Sequence, residues 1–163
     1  MINSFTGEYR FLSNFYPSEF EAFGYTWPTV EHFFQACKSR DPEEDMPRFA
    51  RCPTPGAAKR LGRTVRLVDD WESFWRYERM ELGLRLKFSH LHPDLCQKLV
   101  ATYPRMLVEG NTWGDITWGQ VDGKGSNLLG WMLMRIREHH WIASDKETDW
   151  NYLYTHTDQG DQR

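Results

Sequence analysis

Apolar residues recur with the spacing of an α-helix in four stretches of the chain. The pattern predicts helices from about residue 29 to 40, from 71 to 90, from 92 to 103 and from 128 to 142. The third stretch carries Pro93 in its first turn, where the missing N–H of proline costs nothing. Residues suited to cap a helix precede the other three stretches, namely Thr29, Asp69 or Asp70, and Asn127.

Shorter apolar or alternating runs predict a few strands. They lie around residues 5–10, 20–27 and 105–109, with a further candidate at 115–118. Residues 41–57 concentrate proline and acid, which predicts a surface excursion with at most a short helix. Helices that outnumber short strands indicate a mainly helical α+β protein, a single compact domain with a small β-sheet.

The helix at 29–40 carries two stripes. Val30, Phe33, Phe34 and Cys37 fall within about 100° of one another, whereas a polar stripe lies roughly 120° away. That second stripe consists of Glu31, Gln35 and Lys38, which either face solvent or line a pocket. Because a carboxylate in the first turn is favoured by the helix dipole, we expect it to stay ionised, as suits a base or a stabiliser of positive charge.

Half of the chain's twelve glycines lie within residues 109–130. The backbone there must turn tightly or approach another group closely. The segment also supplies acids and indoles before a helix that starts after Asn127, and free amides at such a start bind phosphate readily. It matches neither a P-loop nor a dinucleotide-binding glycine motif. Two interpretations stay open, a structural loop with an Asp-Gly turn at 122–123 and a nucleotide pocket.

Length and charge narrow the class of protein. The 163 residues suit one domain, which we assign to residues 1–143, followed by a polar C-terminal extension at 144–163 whose end is expected to be mobile. A formal net charge of −3 gives no reason to expect a nonspecific DNA-binding protein. No apolar run is long enough to span a membrane, so we expect a soluble protein with no membrane partner. The oligomeric state stays open.

Cysteines and histidines give no metal signature. Cys37, Cys52 and Cys96 are widely spaced and odd in number, which favours unpaired thiols and a cytoplasmic location. The histidine pairs at 90/92 and 139/140 have no acid or thiol at a supporting spacing. We therefore predict neither a metal nor an organic cofactor.

Six segments, taken in order, resemble one known family. They read FLSNFYPSEF, WPTVEHFFQACK, AKRLGRTVRL, MELGLRLKF, LVEGNTWGDITWG and GSNLLGWMLMRIRE, and the match as a whole spans about residues 5–138. The chain is similar in these segments to the NADAR family, also called YbiA-like. The resemblance implies a small, mainly helical α+β domain and N-glycosidic chemistry. Two substrates are associated with the family, phosphorylated ribosylaminopyrimidines of riboflavin synthesis and ADP-ribosylated guanine in DNA or RNA.

The resemblance also implies a set of functional residues. It places Glu31, Asp115 and Trp118 at the catalytic centre. Lys38, Arg10 and Arg63, with the helix start after Asn127, are candidates for contacts with phosphate. Members often carry WGxG where this chain has Trp118-Gly119-Gln120-Val121, which leaves open how the far end of the substrate is recognised. The full set of candidate substrate-binding residues is Arg10, Asn14, Phe15, Gln35, Lys38, Arg63, Lys87, Glu109, Gly119 and Asn127.

Cleavage of an N-glycoside develops positive charge on the ribose and negative charge on the departing base. An ionised Glu31 would stabilise the first and activate water, with Asp115 sharing that role or holding ribose hydroxyls. Trp118 would stack on the base or the sugar. The expected partner is thus a phosphorylated ribosyl or ADP-ribosyl substrate. The alternative is a module that binds ADP-ribose or a nucleotide without cleaving it.

Overall fold

The computed structural model describes residues 1–145 of the chain. Its order of elements matches the mainly helical α+β class, with one two-stranded sheet. The strands are β1 (Phe20–Ala22) and β2 (Tyr25–Trp27). The helices are α1 (Val30–Ala36), α2 (Pro42–Ala50), α3 (Pro55–Leu61), α4 (Arg76–Lys87), α5 (Pro93–Val100) and α6 (Leu128–Asp145), with a 3₁₀ helix at Gly7–Leu12 and a π-helical turn at Trp71–Trp75.

The centre of the fold is α1. All seven of its residues are buried, and it packs against α2, α3 and α4. Thr29 caps it as predicted, because its side chain accepts a hydrogen bond from the His32 amide. Gly83 lets α4 approach, since a Cβ there would lie 3.0 Å from Phe33 and 3.1 Å from Val30. The helix ends at Ala36, a turn earlier than the periodicity predicts.

The strand predictions hold only for the hairpin. β1 and β2 pair antiparallel, with Phe20 opposite Trp27, and both rings pack on Phe33. The predicted strand at 5–10 is wrong: the 3₁₀ helix forms there and buries consecutive residues, Phe11 and Leu12, which a strand of period two would point in opposite directions. Residues 105–109 and 115–118 form no named strand; the former contributes a single bridge from Leu107 to Ile2.

The segment 41–57 is less superficial than predicted. It contains α2 and the first turn of α3, and Phe49 of α2 is fully buried. The Ser39 hydroxyl donates to the Asp45 carboxylate at 2.6 Å, which ties α2 back to the end of α1. Proline and acid here supply a helix start instead of a solvent loop, because Pro42 stands in the first turn.

The long predicted helix at 71–90 begins irregularly. Asp70 has φ 58°, and the π-helical turn that follows passes directly into α4. At the other end of the chain, α6 continues to Asp145. The proposed C-terminal extension therefore lies, from residue 146 onward, outside the described residues. Within residues 1–145, no helix combines the length and the apolar character needed to cross a bilayer.

Candidate active site

A cavity of about 680 Å³ opens between the 3₁₀ helix, α1, the start of α4 and the loop from α5 to α6. The polar stripe of α1 lines it, so those side chains do not form a solvated face. Glu31 and Trp118, far apart in sequence, share its wall. The residues singled out from the sequence that line the cavity are Arg10, Asn14, Phe15, Glu31, Gln35, Lys38, Glu109, Asp115 and Trp118.

Glu31 is held from both ends. Its amide donates to the Asn14 carbonyl at 3.1 Å, and its Oε1 accepts from Gln35 Nε2 at 2.8 Å. The residue is 6% exposed, and burial raises the pKa of its carboxyl. The Gln35 hydrogen bond and the charges of Lys59 and Lys38 act in the opposite direction. Burial therefore acts against the ionised form that the helix position favours, and ionisation of Glu31 stays a prediction.

Glu109 is a second carboxyl of the cavity, and it is partly buried. Burial raises its pKa to about 7, and the negative charges of Asp115 and Glu31 add to the effect. Lys59 opposes the shift. Its backbone is fixed, since the amide donates to Asn127 Oδ1 at 3.0 Å. A carboxyl with a pKa near neutrality exchanges a proton easily at that pH.

Asp115 shapes the loop that carries Trp118. Its Oδ1 accepts from the amides of Thr117 and Trp118, at 3.0 and 2.8 Å. The indole of Trp118 meets the Phe34 ring edge to face, with centroids 5.6 Å apart. One carboxylate oxygen of Asp115 is thus committed to the turn, and the side chain lines the cavity beside the indole it positions.

Basic side chains also line the cavity. Lys38 was expected from the sequence, but Lys59 and Arg76 were not named as site residues. The Arg76 guanidinium lies over the Trp118 ring, 5.4 Å from its centroid. Trp113 stands at the mouth with 64% of its surface exposed. The sequence carries a signal for Lys59, because it lies four residues before Arg63 in the same basic segment, 59–63.

Buried polar atoms without a hydrogen-bond partner gather at this cavity. Within residues 1–145 they belong to four side chains, and three of these line it, namely Asn14, Gln35 and Arg76. An unpaired buried polar atom is costly, so such atoms commonly mark a place where a ligand completes the bonding. The unpaired Gln35 Oε1 packs against the backbone of Gly62, where an added Cβ would lie 2.0 Å from it. This contact accounts for its position without a ligand.

Arg63 and Lys87 do not reach the cavity. Arg63 is exposed. The residue before it, Gly62, has no side chain and so leaves room for the side chain of Gln35. Lys87 is fully buried and donates from Nζ to the Ser13 carbonyl at 2.7 Å. Burial lowers the pKa of Lys87 to about 7. This lysine supports the loop that carries Asn14 and is separated from the cavity space.

Gly119 and Asn127 also act behind the wall. A Cβ on Gly119 would lie 2.2 Å from the Glu109 carbonyl oxygen. The glycine therefore permits the close approach of the two backbone segments of the loop. Asn127 is 3% exposed, and its side chain bonds the backbone at Leu107 and Glu109. The expected phosphate site at the start of α6 is contradicted, because the amides of residues 127–129 donate to carbonyls of the loop.

The described part of the chain holds no cluster of metal-ligating side chains. No group of three or more His, Cys, Asp or Glu side chains lies in a position to hold an ion. His92 contacts the Glu19 carbonyl at 2.9 Å, and His140 contacts the Phe88 carbonyl at 2.6 Å. These imidazoles have structural partners.

Comparison with known proteins gives a consistent result. The model of the NADAR domain matches residues 3–141. N-glycosidase YbiA of Escherichia coli K12 is 41% identical over 138 residues, 83% of this chain and 84% of that protein. An N-glycosidase of Nostoc punctiforme is 36% identical over 80% of this chain and 85% of its own length. A riboflavin biosynthesis protein of Vibrio vulnificus is 37% identical, over 78% of this chain and 35% of its own length.

The solved structures agree with the sequence comparison. The NMR structure of the E. coli protein YbiA superposes with a TM-score of 0.76 at 38% identity. The match covers 89% of this chain and 86% of that chain. The likeness therefore extends over the helices that surround the cavity.

Proposed function

The chain belongs to the NADAR domain family and is an N-glycosidase, and we propose that it hydrolyses the bond between a phosphorylated ribose and a nitrogen base in the cavity around Glu31. The observation that carries the proposal is the meeting of two carboxyls, the buried Glu31 and the partly buried Glu109, with the indole of Trp118 in one cavity. The carboxyls supply the acid and the base of a hydrolysis. The indole supplies a flat surface for a heterocycle.

The two carboxyls divide the proton chemistry. They interact with each other and with Asp115, so close negative charges disfavour full ionisation of the set. Glu31 accepts the Gln35 amide and faces two lysines, whereas Glu109 faces Lys59 alone. Those contacts favour Glu31 as the ionised member and Glu109 as the protonated one.

The reaction follows from this division. As the C–N bond breaks, ionised Glu31 stabilises the positive charge on the ribose and accepts a proton from the attacking water. Protonated Glu109 donates its proton to the departing base, which leaves neutral. Asp115 holds the turn that aims Trp118, and its second oxygen is available to a ribose hydroxyl. The products are a free base and a ribose phosphate.

Two substrate classes fit this chemistry. Phosphorylated ribosylaminopyrimidines are supported by the likeness to riboflavin biosynthesis proteins of Vibrio vulnificus and maize. ADP-ribosylated guanine in DNA or RNA is the second class. It is supported by the volume of the cavity and by the exposed indole of Trp113 at its mouth, which can stack on a further base.

Free thiols support a reducing setting for this activity. Cys37, Cys52 and Cys96 are all unpaired. Burial raises the pKa of Cys37 to about 12, which keeps it as an unreactive thiol. We therefore retain the cytoplasm as the proposed location.

Direct product analysis tests the proposal. The protein is incubated with a ribosylaminouracil phosphate and, separately, with DNA carrying ADP-ribosylguanine. Release of free base with ribose phosphate, or of ADP-ribose, is expected from one or both. Binding of the substrates without any product would show a binding module and refute the hydrolase.

A further inference from the structure

Basic side chains converge on one side of the cavity. The charges of Glu31 and Glu72 favour protonated Lys38, whereas those of Arg76 and Lys59 oppose it. All three cations line the cavity. The carboxylates offset part of the repulsion among the three cations, and an anionic group of a ligand would offset more of it.

Arg76 is the member of this group with a buried donor that lacks a hydrogen-bond partner. Its Nη1 is paired with Glu72, whose side chain is 65% exposed, whereas the arginine side chain is 19% exposed. Its Nε is buried without a hydrogen-bond partner. The guanidinium carbon lies over the rings of both Trp118 and Tyr77, 5.4 and 5.6 Å from their centroids. A planar cation held in this way keeps unused donors for a bidentate anion.

The π-helical turn is what brings this arginine to the cavity. In a regular α-helix, five residues at about 100° each would rotate Arg76 about 140° away from Trp71. The wider turn, closed by a bond from the Trp75 amide to the Asp70 carbonyl, lets Trp71, Glu72 and Arg76 all line the same space. Such turns often occur at functional sites.

We infer that Arg76 binds the anionic group of the substrate, a phosphate on the ribose, and that Glu72 occupies the guanidinium until this phosphate displaces it. The identity of the anion rests on the proposed function; the presence of an anion-binding arginine does not. The exchange replaces a carboxylate at the mouth of the cavity by a phosphate of higher charge. Lys38 and Lys59 then lie beside the bound anion.

Calorimetric titration with ribose 5-phosphate and with ribose tests the inference. Ribose 5-phosphate lacks a base, so it reports binding without turnover. We expect wild type to prefer ribose 5-phosphate, and Arg76→Gln to weaken its binding by at least about tenfold while leaving ribose unaffected, since bonds to charged groups contribute more than neutral ones. Arg79→Gln is the matched control. Arg79 lies in α4, as Arg76 does, and its guanidinium lies over the ring of Trp75. It does not line the cavity.

Glu72→Gln gives the opposite sign. Removing the competing carboxylate should tighten ribose 5-phosphate binding by up to about fivefold, the range that exposed ion pairs allow. Damage to the fold alone would weaken binding, so a tightening identifies the exchange. This variant also keeps the test informative should Arg76→Gln fail to fold.

The results separate this inference from the hydrolase proposal. Phosphate-dependent binding that requires Arg76, in a protein that releases no base, would leave the inference standing and refute the hydrolase. Equal binding of ribose 5-phosphate by wild type and Arg76→Gln would overturn the inference, as would a wild type that ignores the phosphate. Weaker binding by Glu72→Gln would overturn the displacement of Glu72.

Discussion

Replacing Glu109 by glutamine removes a carboxyl whose ionisation opposes folding. Burial and two neighbouring acids raise its pKa from an ordinary value of 4.5 to about 7. The protonated form is therefore favoured in the folded protein, and stability from this group is lost as the pH rises through 7. Glutamine resembles the protonated carboxyl in shape and charge, so it keeps the stability at every pH.

The magnitude follows from linkage. Between about pH 5 and 7 the folded protein binds one proton more than the unfolded chain at this position, so stability falls by about 1.4 kcal/mol per pH unit. A pKa raised from 4.5 to about 7 corresponds to about 3 kcal/mol in total. We expect Glu109→Gln to exceed wild type in stability by a margin that grows by about 2 kcal/mol from pH 5.5 to 7.

Urea unfolding at four or five pH values between 5.5 and 8 measures this margin. Glu31 is common to both proteins, and because the two carboxyls interact, the difference reports Glu109 together with its coupling to Glu31. The exposed Glu78 provides a control, since Glu78→Gln should run parallel to wild type. Parallel stability curves for wild type and Glu109→Gln would refute the reasoning. Catalysis gives an independent measure: wild-type kcat/KM should fall as the pH rises above 7, and Glu109→Gln should have lost most turnover.

Three further substitutions address other parts of the site. Glu31→Gln should keep the fold and ribose 5-phosphate binding yet lose at least about 100-fold in kcat, measured by base release; an unimpaired variant would remove Glu31 from the chemistry. Burial lowers the pKa of Lys87 to about 7, so wild type should gain about 1.4 kcal/mol of stability per pH unit between pH 7 and 10. Lys87→Met should abolish this gain, which urea unfolding measures. An unchanged slope in the variant would contradict the assignment. Gly62→Ala should displace the Gln35 amide from Glu31 and move the acid limb of the pH–rate profile to higher pH, since Glu31 loses a donor that favours its ionised form. Gly56→Ala, whose Cβ would meet nothing closer than 3.8 Å, is the matched control on α3, and an unshifted limb in Gly62→Ala refutes the role of Gln35.

Sequence periodicity located the helices well where one face is apolar. Val30, Phe33 and Phe34 were placed in the core by spacing alone, and Thr29 was identified as the cap that the structure shows. The polar stripe of α1 stayed ambiguous. Spacing reports which side chains share a face, but what covers that face comes from distant loops, here residues 109–118.

The errors have physical causes of the same kind. Lys59 and Arg63 are four residues apart, but α3 ends at Leu61, so only Lys59 stands on the helix and lines the cavity. Asn127 was expected at a free helix start, yet the chain folds its own carbonyls onto those amides. Arg76 was missed because a regular helix would turn it away from Trp71, and no spacing rule signals the π-helical turn.

The loop from α5 to α6 is bonded to itself at several points. The Asn111 amide donates to the Gln120 carbonyl, Asn127 grips the chain at Glu109, and Gly119 lets the two arms touch. Glu109, Asp115 and Trp118 consequently belong to one internally hydrogen-bonded loop. This loop faces α1, which carries Glu31, across the cavity. We expect that exchanging this loop between relatives would change which leaving group is recognised while the surrounding helices keep their packing.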